Sequence, residues 1–571
     1  MWISRIRTVF LFLFVILASC SGANISSTTP TEKLKILAIF AHVGKSHFDV
    51  FKPILEQLAR RGHDLTVISH FPRTQAAIAA EPLPTYKDIS LFDEKLGVYV
   101  NVVDLKWIDD SYFRVFKEMY MLYYMSDVTC GPTFKNPTIK QFIESRTKFD
   151  VALVENFNSN CFMALVHKLN VPFVQISTHQ LMPWLIDEMA LSHQAAFIPS
   201  MLTRLPRPMN LLQRTTNVLS ATILSTIFHT VFDWRDRSVV EEHLGPGIPD
   251  LKTISNNASV VMVNTHYTLH GSMSFPPNVI EIGGVHISPK VKPLPKNIAK
   301  FLDEAHEGVL YFNLGSMVKT ATIPEDKLRV LLKVFGSIPR KVIWKWETDD
   351  IPDLPSNVLI QKWLPQYDIL SKLQHHPNVK CYFGHGGMLG LSEGVHVGVP
   401  MILMPLYGDQ YQNSIAAQAR GVALVVKFTD LDEQTLIHAI DEMFNNTRYV
   451  LSSHLLANVM GLYPSIKTGE TNAAFPSRDF ISGYAELLIF NQNRAALARQ
   501  VQKKYRKELK KRYSVDEKKK SEKVDRQGKG DRGKKENRII CPDIRSVEYL
   551  TSCPDARISG KCIVVAAQAP R

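Results

Sequence analysis

From residue 34 onward, short apolar runs alternate with longer stretches in which apolar positions recur every three or four residues. Residues 34–40 (LKILAIF) form one such run and predict a buried strand. The spacing of Phe48, Phe51, Leu55 and Leu58 then predicts a helix capped by Ser46 and closed by Arg60, Arg61 and Gly62. Residues 65–69 predict the next strand, and the unit recurs as strand 151–154, helix 161–169 and strand 171–176. Residues 286–298, rich in Pro and Lys, read as an extended linker. A second series comes next, with strands at 308–313, 341–345, 358–361, 379–383 and 400–404. Strand–helix alternation of this kind predicts an α/β fold with parallel sheets covered by helices. Two such lobes place a ligand cleft between them, at the C-terminal ends of the strands.

The two ends of the chain break this pattern. Arg5 and Arg7, the apolar stretch 9–17 and the small residues 18–23 have the layout of a cleaved secretory signal over residues 1–23, features that an uncleaved anchor shares. Secretory entry would open the sequons at Asn24, Asn257 and Asn445 to glycosylation. The regular alternation fades after 450, and residues 451–571 read as an irregular, partly disordered tail. The formal net charge is +13, but residues 501–540 alone hold 17 Lys and Arg against 7 Asp and Glu. The body is therefore close to neutral, which excludes a nucleic-acid partner. After the N-terminus no apolar stretch has spanning length; residues 218–232, interrupted by Ser, Thr and His, predict an amphipathic helix touching a membrane peripherally. The seven cysteines show no metal-ligand spacing and imply no disulfide framework.

Among candidate phosphate sites, Gly44-Lys45-Ser46 ends like a P-loop, but Ile39 stands where the motif needs its first glycine. No Gly-x-Gly-x-x-Gly opens either lobe, so nucleoside triphosphatases and dinucleotide oxidoreductases lose their main support. The strongest signal is an ordered set: Trp363 and Gln366, then His385, Gly386, Gly387 and Glu393, then Asp409 and Gln410. A strand followed by His-Gly-Gly and a helix offers free backbone N–H groups that suit a diphosphate. His385 adds a donor, Glu393 suits ribose hydroxyls, Trp363 offers a flat face for a base, and Asp409 and Gln410 suit sugar hydroxyls.

This set resembles the donor-binding signature of the UDP-glycosyltransferases, the family of vertebrate glucuronosyltransferases and arthropod glucosyltransferases, over roughly residues 34–450. The resemblance implies the GT-B fold, two facing Rossmann-like domains: an acceptor-binding lobe over 24–285 and a UDP-sugar-binding lobe over 299–450. It also implies that Gly315 and Ser316 touch the donor phosphates and that His47, in the turn entering the first helix, is the general base. Histidine suits that task because its pKa lies near the operating pH; His42, His63 and His70 read as structural. The resemblance further implies an orienting acid at the end of a later strand, where Glu155 stands in place of the more usual aspartate.

The activity implied by the resemblance is direct, inverting transfer of a hexose (glucose or glucuronic acid) from a UDP-sugar to a small lipophilic acceptor, with no cofactor and no catalytic metal. The ER lumen is the implied compartment, and homo-oligomerisation is left open. Three features depart from the family: Leu389 where many vertebrate members carry Asn, a longer segment at 368–377, and a C-terminus that stops matching after about Tyr449. The last keeps a non-catalytic lumenal binding partner as the alternative, with a two-lobed epimerase or phosphorylase more remote.

Overall fold

The computed structural model describes residues 33–92, 100–108, 111, 113–189, 191, 194–288, 291–371 and 378–461. The proposed signal, the Asn24 sequon, the basic stretch 501–540 and all of the tail beyond 461 lie outside the described residues.

The first lobe is built on a seven-stranded sheet of β1 (Lys35–Phe40), β2 (Asp64–Ser69), β3 (Tyr86–Ser90), β5 (Val151–Glu155), β6 (Phe173–Ser177), β7 (Val260–Val263) and β8 (Val279–Glu281). Their order is β3-β2-β1-β5-β6-β7-β8, and every pair is parallel. Period-two alternation sends Leu37 and Ile39 into one apolar layer and Ile36, Ala38 and Phe40 into the other. A strand buried on both faces has no polar side, which is why it reads as a continuous apolar run.

The second lobe repeats the scheme with β9 (Val309–Asn313), β11 (Lys341–Lys345), β12 (Val358–Gln361), β13 (Val379–Gly384), β14 (Met401–Leu403) and β15 (Ala423–Val425). Here the order is β12-β11-β9-β13-β14-β15, again all parallel. Leu310 and Phe312 pack on one side of this sheet, Val309 and Tyr311 on the other. Two Rossmann-like lobes form the GT-B architecture. A two-residue ladder joins them, pairing β4 (Val103–Asp104) of the first lobe with β10 (Val318–Lys319) of the second.

Several expectations are corrected. The first helix spans Lys45–Arg60 with Gly44 at its N-cap and no side-chain cap, so Ser46 lies inside the first turn. The connector is not extended throughout: a helix at Lys296–Asp303 starts within 286–298, because Ile298 and Leu302, one turn apart, are both buried on the second lobe. Nor does the second lobe end at 450. A helix at Thr447–Gly461 packs on the helix Met388–Val397 and buries Leu456. Finally, Cys130 and Cys161 form a disulfide, which sequence spacing did not imply.

Residues 218–232 fall in a continuous helical stretch, Leu211–Ile227 followed by a π-helical turn at Phe228–Phe232. It buries Ala221, Leu224, Phe228 and Phe232 while exposing Leu219, Ile223 and Val231. Among the described residues no helix is long and apolar enough to cross a membrane.

The disulfide joins helix Arg114–Lys135 to the start of helix Cys161–Leu169, closing a loop with a sequence separation of 31. Loop-closure entropy then predicts that replacing both cysteines by alanine costs about 4 kcal/mol of stability, measurable as a lower denaturant midpoint.

Candidate active site

In an open parallel sheet, ligands bind beyond the C-terminal strand ends, where the strand order reverses. In the first lobe that point lies between β1 and β5. The chain leaving β1 reaches His47 in the first helical turn, and β5 ends on Glu155. The two meet: His47 Nδ1 lies 2.6 Å from Glu155 Oε1. Thr178, just past β6, places its Oγ1 3.1 Å from the same nitrogen. With Nδ1–H donating to the carboxylate, Nε2 is left as the basic nitrogen.

The ring of His47 sits among His42 (4.4 Å between centroids), Phe157 (4.7 Å) and His179 (6.0 Å). Burial lowers the pKa of His47 to about 3, and those of His42 and His179 likewise, each also opposed by the charge His47 would carry. Burial raises Glu155 to about 7. The common cause is desolvation, which disfavours whichever form is charged. The three imidazoles are therefore held neutral, and the proton that titrates near pH 7 belongs to the Glu155 carboxyl. Thr178, Phe157 and His179 were not found from sequence, although each follows a strand tip at or beside the reversal. His42, read as structural, also belongs to this cluster. His63 does not; its Nδ1 accepts the backbone N–H of Leu34.

The second lobe reverses between β9 and β13. Gly315 follows β9 with φ +87°, and a Cβ there would stand 2.5 Å from the His385 ring. Glycine is therefore required both by the backbone conformation and by the imidazole stacked on it. Ser316 continues this loop. His385 follows β13, Gly386 takes φ +80°, and Gly387 is the N-cap of helix Met388–Val397. Burial, reinforced by the charge of Lys345, lowers His385 to about 4, so it is a neutral imidazole.

Behind the loop runs a chain of side-chain hydrogen bonds. Asn313 Nδ2 donates to Gln366 Oε1 at 2.8 Å, and Gln366 Nε2 donates to Glu393 Oε2 at 2.7 Å. Glu393 Oε1 also lies 3.8 Å from His286 Nε2. Gln366 thus positions Glu393 as well as facing the cleft. Trp363, 55% exposed, leaves a ring face open. Asp409 accepts from Asn413 Nδ2 at 2.7 Å, and burial raises its pKa to about 6. Gln410 is turned inward: its Oε1 accepts the backbone N–H groups of Leu406 and Tyr407, and the residue is buried.

The lobes meet around this loop. Gly408 N–H donates to Glu118 Oε1 at 3.1 Å, and Gln412 Nε2 donates to the carbonyls of Thr203 and Leu205. The histidine–carboxylate pair and the His-Gly-Gly turn therefore belong to facing lobes.

The sequence profile described as "UDP-glucoronosyl and UDP-glucosyl transferase" matches residues 35–462, both lobes in full. The chain belongs to this UDP-glycosyltransferase family. It is 32% identical over 444 residues to UDP-glucosyltransferase 2 of Dactylopius coccus, covering 78% of this chain and 81% of that one. To human UDP-glucuronosyltransferase 2B15 it is 28% identical over 422 residues, covering 71% and 77%. Among solved structures, the kitacinnamycin glycotransferase superposes with a TM-score of 0.49 at 17% identity, covering 75% of this chain and 95% of that one. The protein is thus a UDP-glycosyltransferase, using a UDP-sugar as donor.

Gly315→Ala should weaken UDP binding roughly tenfold or more, because the methyl strains the backbone and displaces the His385 ring. Titration calorimetry with UDP checks this; unchanged affinity would contradict the stacking of Gly315 on His385 as a donor-site constraint.

Proposed function

We propose that the enzyme transfers a hexose, glucose or glucuronic acid, from its UDP-sugar to a small lipophilic hydroxyl acceptor such as a phenol, steroid or xenobiotic, with inversion. The observation that carries this reading is the 2.6 Å contact of His47 with Glu155 at the first lobe's strand-order reversal. His47 Nε2 takes the acceptor proton as the acceptor oxygen attacks the anomeric carbon. The bond from that carbon to the β-phosphate oxygen breaks, and its electron pair leaves with UDP. Glu155 orients the imidazole and stabilises the imidazolium as it forms, as a carboxylate does for a catalytic histidine elsewhere. Gly315, Ser316, His385, Gly386 and Gly387 receive the diphosphate, and such preorganised donors act where charge develops on the leaving group. Trp363 stacks on the base, Glu393 takes the ribose, and Asp409 with the amide of Gln410 takes sugar hydroxyls. The reading requires neither cofactor nor metal.

An apolar crevice in the first lobe favours a lipophilic acceptor. It is lined by Leu181, Ile186, Ile198, Ala221 and Phe275, and it begins two residues beyond Thr178, which touches His47. A lumenal ER site fits the disulfide, since such bonds persist in oxidising compartments. The exposed Leu219, Ile223 and Val231 suit a peripheral membrane contact at 218–232.

His47→Ala should lower kcat by ~10²–10⁴ while UDP affinity holds, because base and donor site lie on different lobes. Steady-state kinetics on a panel of UDP-sugars and phenols, with calorimetry, separates the two; full turnover in the variant refutes the assignment. The pH profile is set by Glu155. Its raised pKa means the pair gains a second proton below about pH 7, and a protonated carboxyl then donates to Nδ1 and puts the ring proton on Nε2. Activity should thus rise as pH increases through about 7, and Glu155→Gln should remove that limb and cut kcat. A limb that survives in Glu155→Gln belongs to another group.

A further inference from the structure

The loop that carries Gly315 and Ser316 is not held by its own lobe alone. Residues 100–108, part of the first lobe's chain, run along it. Asn101 N–H donates to the Ser316 carbonyl at 2.8 Å, while Val102 and Val103 donate to Met317 at 2.8 and 2.9 Å. The β4–β10 ladder continues the contact, and Leu105 N–H donates to Thr322 Oγ1 at 2.9 Å. Leu105 itself is buried inside the second lobe's hydrophobic core, beside residues such as Phe312 and Trp344. A first-lobe side chain thus completes a second-lobe core.

A polar latch lies next to this seam. Lys345, at the tip of β11, is only 2% exposed. Its Nζ donates to Asn101 Oδ1 at 2.9 Å and to Glu347 Oε1 at 2.6 Å. The other oxygen of Glu347 accepts the Ala321 N–H at 2.8 Å, so the same network grips the far end of the loop. A buried ammonium needs such partners, because removing one leaves a charge that water cannot reach. Lys345, Gly315 and His385 follow or end the adjacent strands β11, β9 and β13, so the latch and the donor loop share one edge of the sheet. The charge of Lys345 is also felt at His385, whose pKa it lowers.

We infer that residues 100–105 are a positioning strap for the donor, in which Asn101 and Lys345 lock the first lobe onto the Gly315–Ser316 loop and so set its shape for the UDP diphosphate. This deepens the UDP-sugar reading and rests on that loop being the phosphate loop. Asn101 is a positioning residue: it acts through the loop and through Lys345. Acceptor-lobe docking and donor affinity are then coupled through this seam.

Asn101 has φ +54°, a left-handed conformation that Asn, Asp and Gly tolerate better than other residues. Asn101→Gly therefore removes the Oδ1 acceptor without straining the backbone, and Asn101→Asp restores an acceptor oxygen in the same place. In the full chain, UDP calorimetry and steady-state kinetics are measured for both variants. Asn101→Gly should raise the UDP Kd and the donor KM roughly tenfold, the scale of one hydrogen bond to a charged group. Saturated kcat and acceptor KM should stay within about twofold, and Asn101→Asp should bind UDP nearly as the unaltered chain does. The inference is overturned if Asn101→Gly binds UDP normally, even with a lowered melting temperature, since the strap would then be structural only. It is equally overturned if the loss appears in kcat or acceptor KM, or if Asn101→Asp fails as Asn101→Gly does. UDP calorimetry needs no turnover, so it decides the strap even where the His47 base assignment or the acceptor class fails.

Discussion

Parallel strands cannot be joined by tight turns; each connection must cross over the sheet, and the crossovers have one hand. A sheet grown outward from its centre in both directions therefore has one place where neighbouring crossovers leave on opposite faces. Beyond the strand ends at that place no helix fills the space. Both lobes are built this way, reversing between β1 and β5 and between β9 and β13. The four segments leaving those strands carry His47, Glu155, Gly315 and His385. The proposed chemistry is thus located by a topological necessity of the parallel sheet, twice over, before any side chain is considered.

Burial then decides the charge states. His42, His47 and His179 crowd one pocket, and each is driven towards its neutral form. Neutral imidazoles can share a pocket that three cations could not. The same desolvation lifts Glu155 and Asp409 and neutralises His385, so few full charges stand in the cleft before a diphosphate arrives. Lys345, buried beside this region, hydrogen-bonds to Asn101 and Glu347. A site of this kind leaves the dominant negative charge to the donor and aims fixed dipoles at it, which avoids reorganisation when the leaving group forms.

The lobe boundary is less sharp than two compact sheets suggest. Leu105 crosses into the second lobe's core, and Glu118 reaches the Gly408 turn. The seam is therefore a mixture of backbone pairing, buried apolar anchors such as Leu105 and Leu269, and buried polar bonds. Such bonds are geometrically demanding, because a buried polar group left unpaired costs more than the bond itself contributes. They fix the relative register of the lobes beside the proposed donor site.

The periodic, locally specified features were legible from the chain alone. Strands 341–345 and 358–361 coincide with the observed β11 and β12, since short apolar runs bounded by turn residues mark strands. The strand, the His385-Gly386-Gly387 turn and the following helix were likewise readable in order, because together they are one strand–loop–helix unit. What sequence did not reveal depends on residues far apart in the chain. Cys130 meets Cys161 only because two helices pack, and Thr178 meets His47 across 131 positions. The Asn101–Lys345 latch spans 244 positions, and its two-residue strand is too short to show any period. Gln410 has the right place in the motif, yet a loop backbone claims its oxygen. Sequence by itself determined the parallel α/β lobes and the family, since local pattern encodes these. Which groups touch, which are neutral and how the lobes are latched were decided by tertiary packing, because burial and long-range hydrogen bonds exist only once distant segments are brought together.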